Sequence, residues 1–287
     1  MTAVLKHELH TYFHSLTAYV FGAFLLAFIG IGAMMYNLNA AVSNFEYVLG
    51  FGSMVFIVIV PVLTMRVIAE EKRQKTDQLL YALPITTTQV IVGKFLALLC
   101  VFLLPLGVVA VYPLIFAQFG EVYLPTSYGS LAAFFLVGAA LMAIGVFISS
   151  LTDNQGFASG MGIAVILLNY FSVPLAEYVS ATALGSLAVI SLILAALGML
   201  IHHLTHSEKF AWAVSGTLIF ALWAAFAIQP EAFEGLLPKI MTQLSLFERL
   251  NVFVNGVFDL TGVVYFAAVI GLFLFLSVQS LEKKRYN

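Results

Sequence analysis

The chain has 287 residues, of which 62% are hydrophobic and 9% charged, with a mean hydropathy of +1.05. Soluble domains carry about 25% charged residues, so this composition excludes a soluble globular protein and predicts an all-α, polytopic integral membrane protein. A net charge of -2 excludes the bulk basic field that attracts nucleic acid, and the single cysteine, Cys100, excludes an intrachain disulfide.

Residues 1–16 place Leu5, Leu9, Tyr12, Phe13 and Leu16 at helical spacing, with Lys6, His7, His10 and His14 on other faces. This predicts an interfacial amphipathic helix leading into the bilayer. The apolar run that follows is too long for a signal-peptide core and lacks an A-x-A exit, so a retained N-terminus is expected. Apolar runs recur near 17–37, 47–69, 92–117, 129–151, 157–176, 184–204, 211–229 and 261–281. Each is close to the roughly 20 residues a spanning helix needs. The expectation is one transmembrane domain over 1–287 with eight hydrophobic segments, six to eight of them spanning.

The stretch 66–94 is the long charged interruption, holding five of the twelve Lys and Arg residues. Within it Glu70 to Leu83 reads as a short helix, with Leu79, Leu80 and Leu83 forming an apolar ridge and Pro84 stopping it. Thr86 to Thr88 offer N-cap hydroxyls to the next span. A charged, leucine-ridged helix beside the membrane is a docking surface; the simpler reading is a solvated loop with a membrane-facing leucine patch.

Further on, Gly156, Gly160 and Ala164 give small-xxx-small spacing, which predicts close helix contact within the chain or with a second copy. His202, His203 and His206 have ligand-like spacing but stand where a span leaves the membrane, and interface polarity accounts for them. Residues 230–260 read as an amphipathic segment on the outer face, either a lid over a pathway or a surface connector.

A cytoplasmic N-terminus puts Lys6, the five cations of 66–94, Lys209, Lys283, Lys284 and Arg285 inside and only Lys239 and Arg249 outside. The positive-inside rule therefore predicts both termini in the cytoplasm of a bacterial inner membrane. The spans show no Asp, Glu, Lys or Arg deep inside; Glu46, Glu177 and Asp259 lie near ends. Ion-coupled transport needs such groups and is disfavoured. Tyr36, Thr64, Asn169 and Tyr170 are uncharged polar groups available to line a pathway, a role that competes with hydrogen bonding between helices.

The chain contains no G-x-x-x-x-G-K-[ST], G-x-S-x-G or H-E-x-x-H. It has no nucleotide-binding loop of its own, so energy must arrive from outside. Glu70-Glu71 with Lys75 resembles, loosely, the EE-x-x-x-R signature of membrane-embedded CAAX-type proteases. Position 75 is lysine, and the pair lies in a charged loop without a dry pocket to shift a catalytic carboxyl.

A more extensive resemblance runs through PVLTMRVIAEEKRQKTDQLLYALPITTTQVIVGKF (Pro61 to Phe95), GAALMAIGVFISSLTDNQ (Gly138 to Gln155), LSLFERLNVFVNGVFDLTGVVYF (Leu244 to Phe266) and LEKKRY (Leu281 to Tyr286). In order and spacing these segments resemble ABC-2 type transporter permeases, and more narrowly the branch that includes the gliding-motility-associated permease. The family loop often has glycine before its threonine, where this chain has Lys75, and a Pro-Asp pair in the outer loop, where Leu124-Pro125-Thr126 stands. The resemblance implies the membrane half of an ABC exporter, paired with a second copy or a related permease. A separate ABC ATPase subunit would bind the ATP and magnesium, leaving this chain without a cofactor. The residues matching the ATPase-coupling role are Glu70, Glu71, Arg73, Thr76, Leu79 and Leu80. An alternative keeps the ATPase but makes the chain a mechanical or signalling module acting on a membrane protein with a periplasmic domain; an intramembrane protease is a more distant one.

Overall fold

The computed structural model describes residues 2–76, 85–179, 181–205 and 208–286. These are helical throughout, with no strand among them. That is the outcome a bilayer imposes, because every backbone N–H in hydrocarbon must find its partner within its own segment. Two compact units emerge: residues 1–170 with 246–287, and residues 171–245.

In the larger unit, α1 (Thr2–His14) precedes α2 (Leu16–Ala33), which continues through a wider π turn at Met34–Asn39. The return leg is α3 (Glu46–Gly52) and α4 (Phe56–Thr64), joined by a 3-10 turn, followed by α5 (Ala69–Gln74). Next come α6 (Thr87–Val109), the short α7 (Tyr112–Phe116), α8 (Leu124–Leu151) and α9 (Gln155–Tyr178). Six stretches of the described residues are long and apolar enough to cross a membrane: Leu16–Asn39, Glu46–Gln74, Thr87–Phe116, Leu124–Leu151, Gln155–Tyr178 and Leu260–Lys283.

The core is organised around α8, where Val137 through Val146 are all buried, as befits a helix apolar on every face. Between helices in lipid there is no hydrophobic gain to exploit, so contact rests on dispersion and close approach. Glycines make that approach. A Cβ on Gly138 would run into the Phe102 ring of α6, one on Gly145 into Thr64 of α4, and one on Gly52 into Ile29 of α2. Phe56 and Phe134 stack with centroids 4.6 Å apart, and Phe102 adds an edge contact to Phe56 at 5.7 Å. Gly162 of α9 seats on Pro61. By contrast Gly156, Gly160 and Ala164 are exposed, and beyond Gly160 there is open space. The small-residue contact inside the chain is therefore made by a different set from the one its spacing predicts.

The smaller unit contains α10 (Ala183–Thr205) and α11 (Glu208–Ile228), paired with each other, and α12 (Leu236–Leu244). The described apolar stretches of α10 and α11 are the shorter segments Ala183–Ala196 and Ser215–Ile228. A left-handed Gly235 lets its N–H reach the carbonyl of Ala181 at 2.8 Å, and Phe226 meets Phe233 edge-on. His206 lies outside the described residues, as do the side chains of His202 and His203.

Back in the larger unit, α13 (Leu246–Val254) buries Leu246, Phe247, Leu250 and Phe253. Ser130 of α8 donates to the carbonyl of Phe253 at 2.8 Å. The last span, α14 (Leu260–Tyr286), begins at an Asp259 cap: its carboxylate accepts from the N–H groups of Thr261 and Gly262 at 2.9 and 3.0 Å.

Candidate functional site: the charged junction between the second and third spans

The charged stretch is folded tightly onto the ends of three other helices. Of the helix expected over Glu70 to Leu83, the structure describes the part up to Thr76, and residues 77–83 lie outside the described residues. Helix α5 ends at Gln74, and Lys75 takes a left-handed conformation, φ 58°. The N–H of Lys75 then reaches the carbonyl of Lys72 at 3.1 Å and that of Thr76 the carbonyl of Glu71 at 3.0 Å. This is a Schellman closure, which normally places glycine at the left-handed position. Leu79, Leu80 and Pro84 lie outside the described residues. Thr86 caps α6 in a capping box with Gln89.

Where α4 passes into α5 the helix breaks at residues 65–68, and its freed N–H groups need acceptors. Ser149, in the last turn of α8, supplies one. Its Oγ accepts from Ile68 and Ala69 at 3.2 and 3.0 Å and donates to the carbonyl of Met65 at 3.2 Å. The next residue continues the anchor, since the Lys72 ammonium donates to the carbonyl of Ser150. A cation at that point also meets the negative end of the α8 dipole.

Third, Lys94 lies two turns into α6 and is 2% exposed. Its Nζ stands 2.6 Å from Glu8 Oε1 and 2.6 Å from Glu71 Oε1. One ammonium thereby ties α1, α5 and α6 together. Tyr12, one turn from Glu8 on α1, is also buried; burial first, and the charges of Glu8 and Glu71 second, push its phenol well above the ordinary value. Charge counting assigns Lys94 to a loop. The structure puts it inside α6, where α1 docks on it through Glu8.

Of the other described cations of the stretch, Arg66, Arg73 and Lys75 are exposed. Arg66 donates to Thr17 Oγ1 at 3.0 Å and lies 3.8 Å from Glu70, which also accepts from Gln74 at 3.2 Å. Of the sequence-derived coupling residues, Glu70, Glu71, Arg73 and Thr76 thus cluster on or just after α5. Glu71 is bound to Lys94 as part of the anchor, and Glu70 stands beside Arg66.

The four pathway residues are not assembled at one place. Thr64 is buried against Gly145 and donates to the carbonyl of Val60 at 2.9 Å. Tyr36 lies among Tyr47 and Phe51. Asn169 Oδ1 accepts from the N–H of Leu246 at 3.0 Å, and Tyr170 packs edge-on against Phe247 at 5.0 Å, so these two position α13.

A profile of the ABC-2 family transporter proteins matches residues 33–180, which span the second to fifth transmembrane stretches and the anchored junction. The chain belongs to the ABC-2 transporter family. The match is to the family at large and not to its gliding-motility branch. No curated protein matches the chain. As an ABC-2 protein it is a membrane component of a transporter, a class that works with an ABC ATPase and often as a dimer. Ser149 and Ser150, which hold the junction in place, lie within a segment that carries the family resemblance, yet spacing alone gives them no role.

Proposed function

We propose that this ABC-2 protein is the membrane-spanning subunit of an exporter, driven by a separate ABC ATPase that docks on the segment from Glu70 to Leu83. The observation that carries the reading is the triple anchoring of α5: Ser149 caps it, Lys72 binds the end of α8, and Glu71 shares Lys94 with α1. A docking element held this way passes a push directly to the second, third and fourth spans.

Glu70, Arg73 and Thr76, followed by Leu79 and Leu80, would meet the ATPase, which binds the ATP and magnesium. For work to be transmitted, this surface must interact differently with the two nucleotide states. Pro61, whose ring leaves the second span one backbone bond short, gives that helix a place to tilt. In this reading the junction and both termini face the cytoplasm of a bacterial inner membrane. A second permease packs on the exposed Gly156, Gly160 and Ala164 face of α9.

The test is co-purification with an ATPase from the same operon, with ATP turnover measured in the presence and absence of the permease. Leu79→Asp with Leu80→Asp should abolish the permease-dependent turnover while leaving membrane insertion intact. Undiminished turnover in the double variant would overturn the docking assignment. For the pairing, Gly160→Ile should lower the dimer fraction in detergent; an unchanged fraction removes α9 from the interface.

A further inference from the structure

Between α2 and α4 the structure leaves an apolar groove of about 580 Å³. Val20, Phe24, Val58 and Val62 wall it, each 36–54% exposed, so it opens outward along two spanning helices. At one end it reaches Thr17 and Arg66. These same two residues also line an adjoining polar cavity of about 790 Å³, the one that contains Glu8, Glu70, Glu71 and Lys94. An oily slot and a charged chamber thus share a wall made of one hydroxyl and one guanidinium.

That wall is suited to a phosphodiester. Arg66 presents a planar donor fork. Beside it, α2 begins without a side-chain cap; the Ser15 hydroxyl donates to the carbonyl of Tyr12. Its first N–H groups therefore add a positive helix end next to the cation. The chamber as a whole has the opposite sign: three carboxylates line it against two cations, Arg66 and Lys94, a net of one negative charge. Lys94 binds two of those carboxylates at 2.6 Å, whereas Glu70 lies a loose 3.8 Å from Arg66.

We infer that the groove and the chamber together hold one bilayer phospholipid with a zwitterionic phosphoethanolamine headgroup. The phosphate lies at Arg66 and the start of α2, the ammonium faces Glu70, and an acyl chain fills the groove between Val20, Phe24, Val58 and Val62. An anionic glycerol headgroup satisfies Arg66 but brings no cation for Glu70 and adds negative charge to a chamber already negative. A helix from a second copy would fill the groove and leave the chamber's charges as they are. The site shares Glu70 with the proposed ATPase surface but needs no bound ATPase, so its test runs on the permease alone.

Native mass spectrometry of the full chain tests this, after exchange into nanodiscs of equimolar phosphatidylethanolamine and phosphatidylglycerol. The expected result is one phosphatidylethanolamine retained per chain. Arg66→Gln should reduce its retention about tenfold or more, the weight of a lost charge-assisted bond. Glu70→Gln should bring the two lipids close to parity. Val58→Trp, which fills the groove far from any charge, should expel the lipid while thermal unfolding shows the fold intact. Phosphatidylglycerol retained as well as phosphatidylethanolamine by the wild type overturns the assignment. So does Arg66→Gln retaining lipid undiminished, or Val58→Cys cross-linking two copies across the groove.

Discussion

Replacing Lys94 by methionine keeps most of the side-chain volume and removes only the charge, which isolates what the ammonium does for Glu8 and Glu71. Both carboxylates then remain in a site built for three charges, with side chains 11% and 26% exposed respectively. Removing one partner of a buried pair costs about 3–5 kcal/mol, because the charge left behind is uncompensated. Glu71 retains some contact with water, which places the expected loss near the lower limit, about 3 kcal/mol. For a chain of this size that is roughly 6–12 °C of melting temperature. Thermal unfolding in one fixed detergent reads it. The triple variant Lys94→Met, Glu8→Gln, Glu71→Gln should regain most of the loss, since neutral amides in the same places need no counter-charge. Glu8→Gln alone should cost less than Lys94→Met, because Lys94 keeps Glu71. A Lys94→Met protein melting within about a degree of wild type, or a triple variant no better than the single, would refute the idea that Lys94 compensates two poorly solvated carboxylates.

Other substitutions probe separate elements. Lys75→Gly should stabilise the junction by about 1 kcal/mol, because the left-handed closure of α5 carries a Cβ penalty that glycine lacks; an unchanged or lower melting temperature would argue against that closure. Gly145→Val places a side chain into Thr64 and should cost about 1–3 kcal/mol by overpacking, read as a lower melting temperature, whereas Gly160→Val, facing open space, should leave monomer stability within about 0.5 kcal/mol. Asp259 has its carboxyl held below the ordinary 3.8, chiefly by its hydrogen bond with Thr261. A carboxyl depressed on folding adds stability that is present above the unfolded value and is lost as pH falls through the folded one. The melting difference between wild type and Asp259→Ala should accordingly be full near neutrality and shrink as pH falls below 3.8.

The spanning helices were legible because a bilayer demands long apolar runs: the start of α2, the end of α8 and both ends of α9 fall close to the apolar boundaries, whereas α6 begins five residues earlier than its run. Thr86 was legible for the same local reason, an N-cap hydroxyl with Gln89 three residues on. What sequence reasoning missed is tertiary. Glu8 sits within the apolar stripe of Leu5, Leu9 and Tyr12, and a carboxylate on such a stripe signals a buried cation elsewhere; Lys94 answers it, 86 residues away in sequence. Two serines at the end of α8 read as small polar residues near an interface until the break at 65–68 brings N–H groups to Ser149 and the Lys72 ammonium to the carbonyl of Ser150. The glycine spacing left its partner open because it records which residues are small and not which way they face: Gly138 and Gly145 point into the core, Gly156 and Gly160 away from it. The end of α5 at Gln74 was hidden because nothing in a lysine's identity announces a positive φ.

The bridge from Lys94 to Glu8 and Glu71 also sets an order of events during synthesis. A ribosome delivers both carboxylates before the lysine, so the first two spans enter the bilayer while their acids have no ammonium between them. Until then those acids must stay hydrated, since sealing them away unpaired costs far more than the packing of α1 returns. On that argument the N-terminal helix closes onto the bundle only once the third span has brought Lys94, so the segment made first waits for a residue made much later.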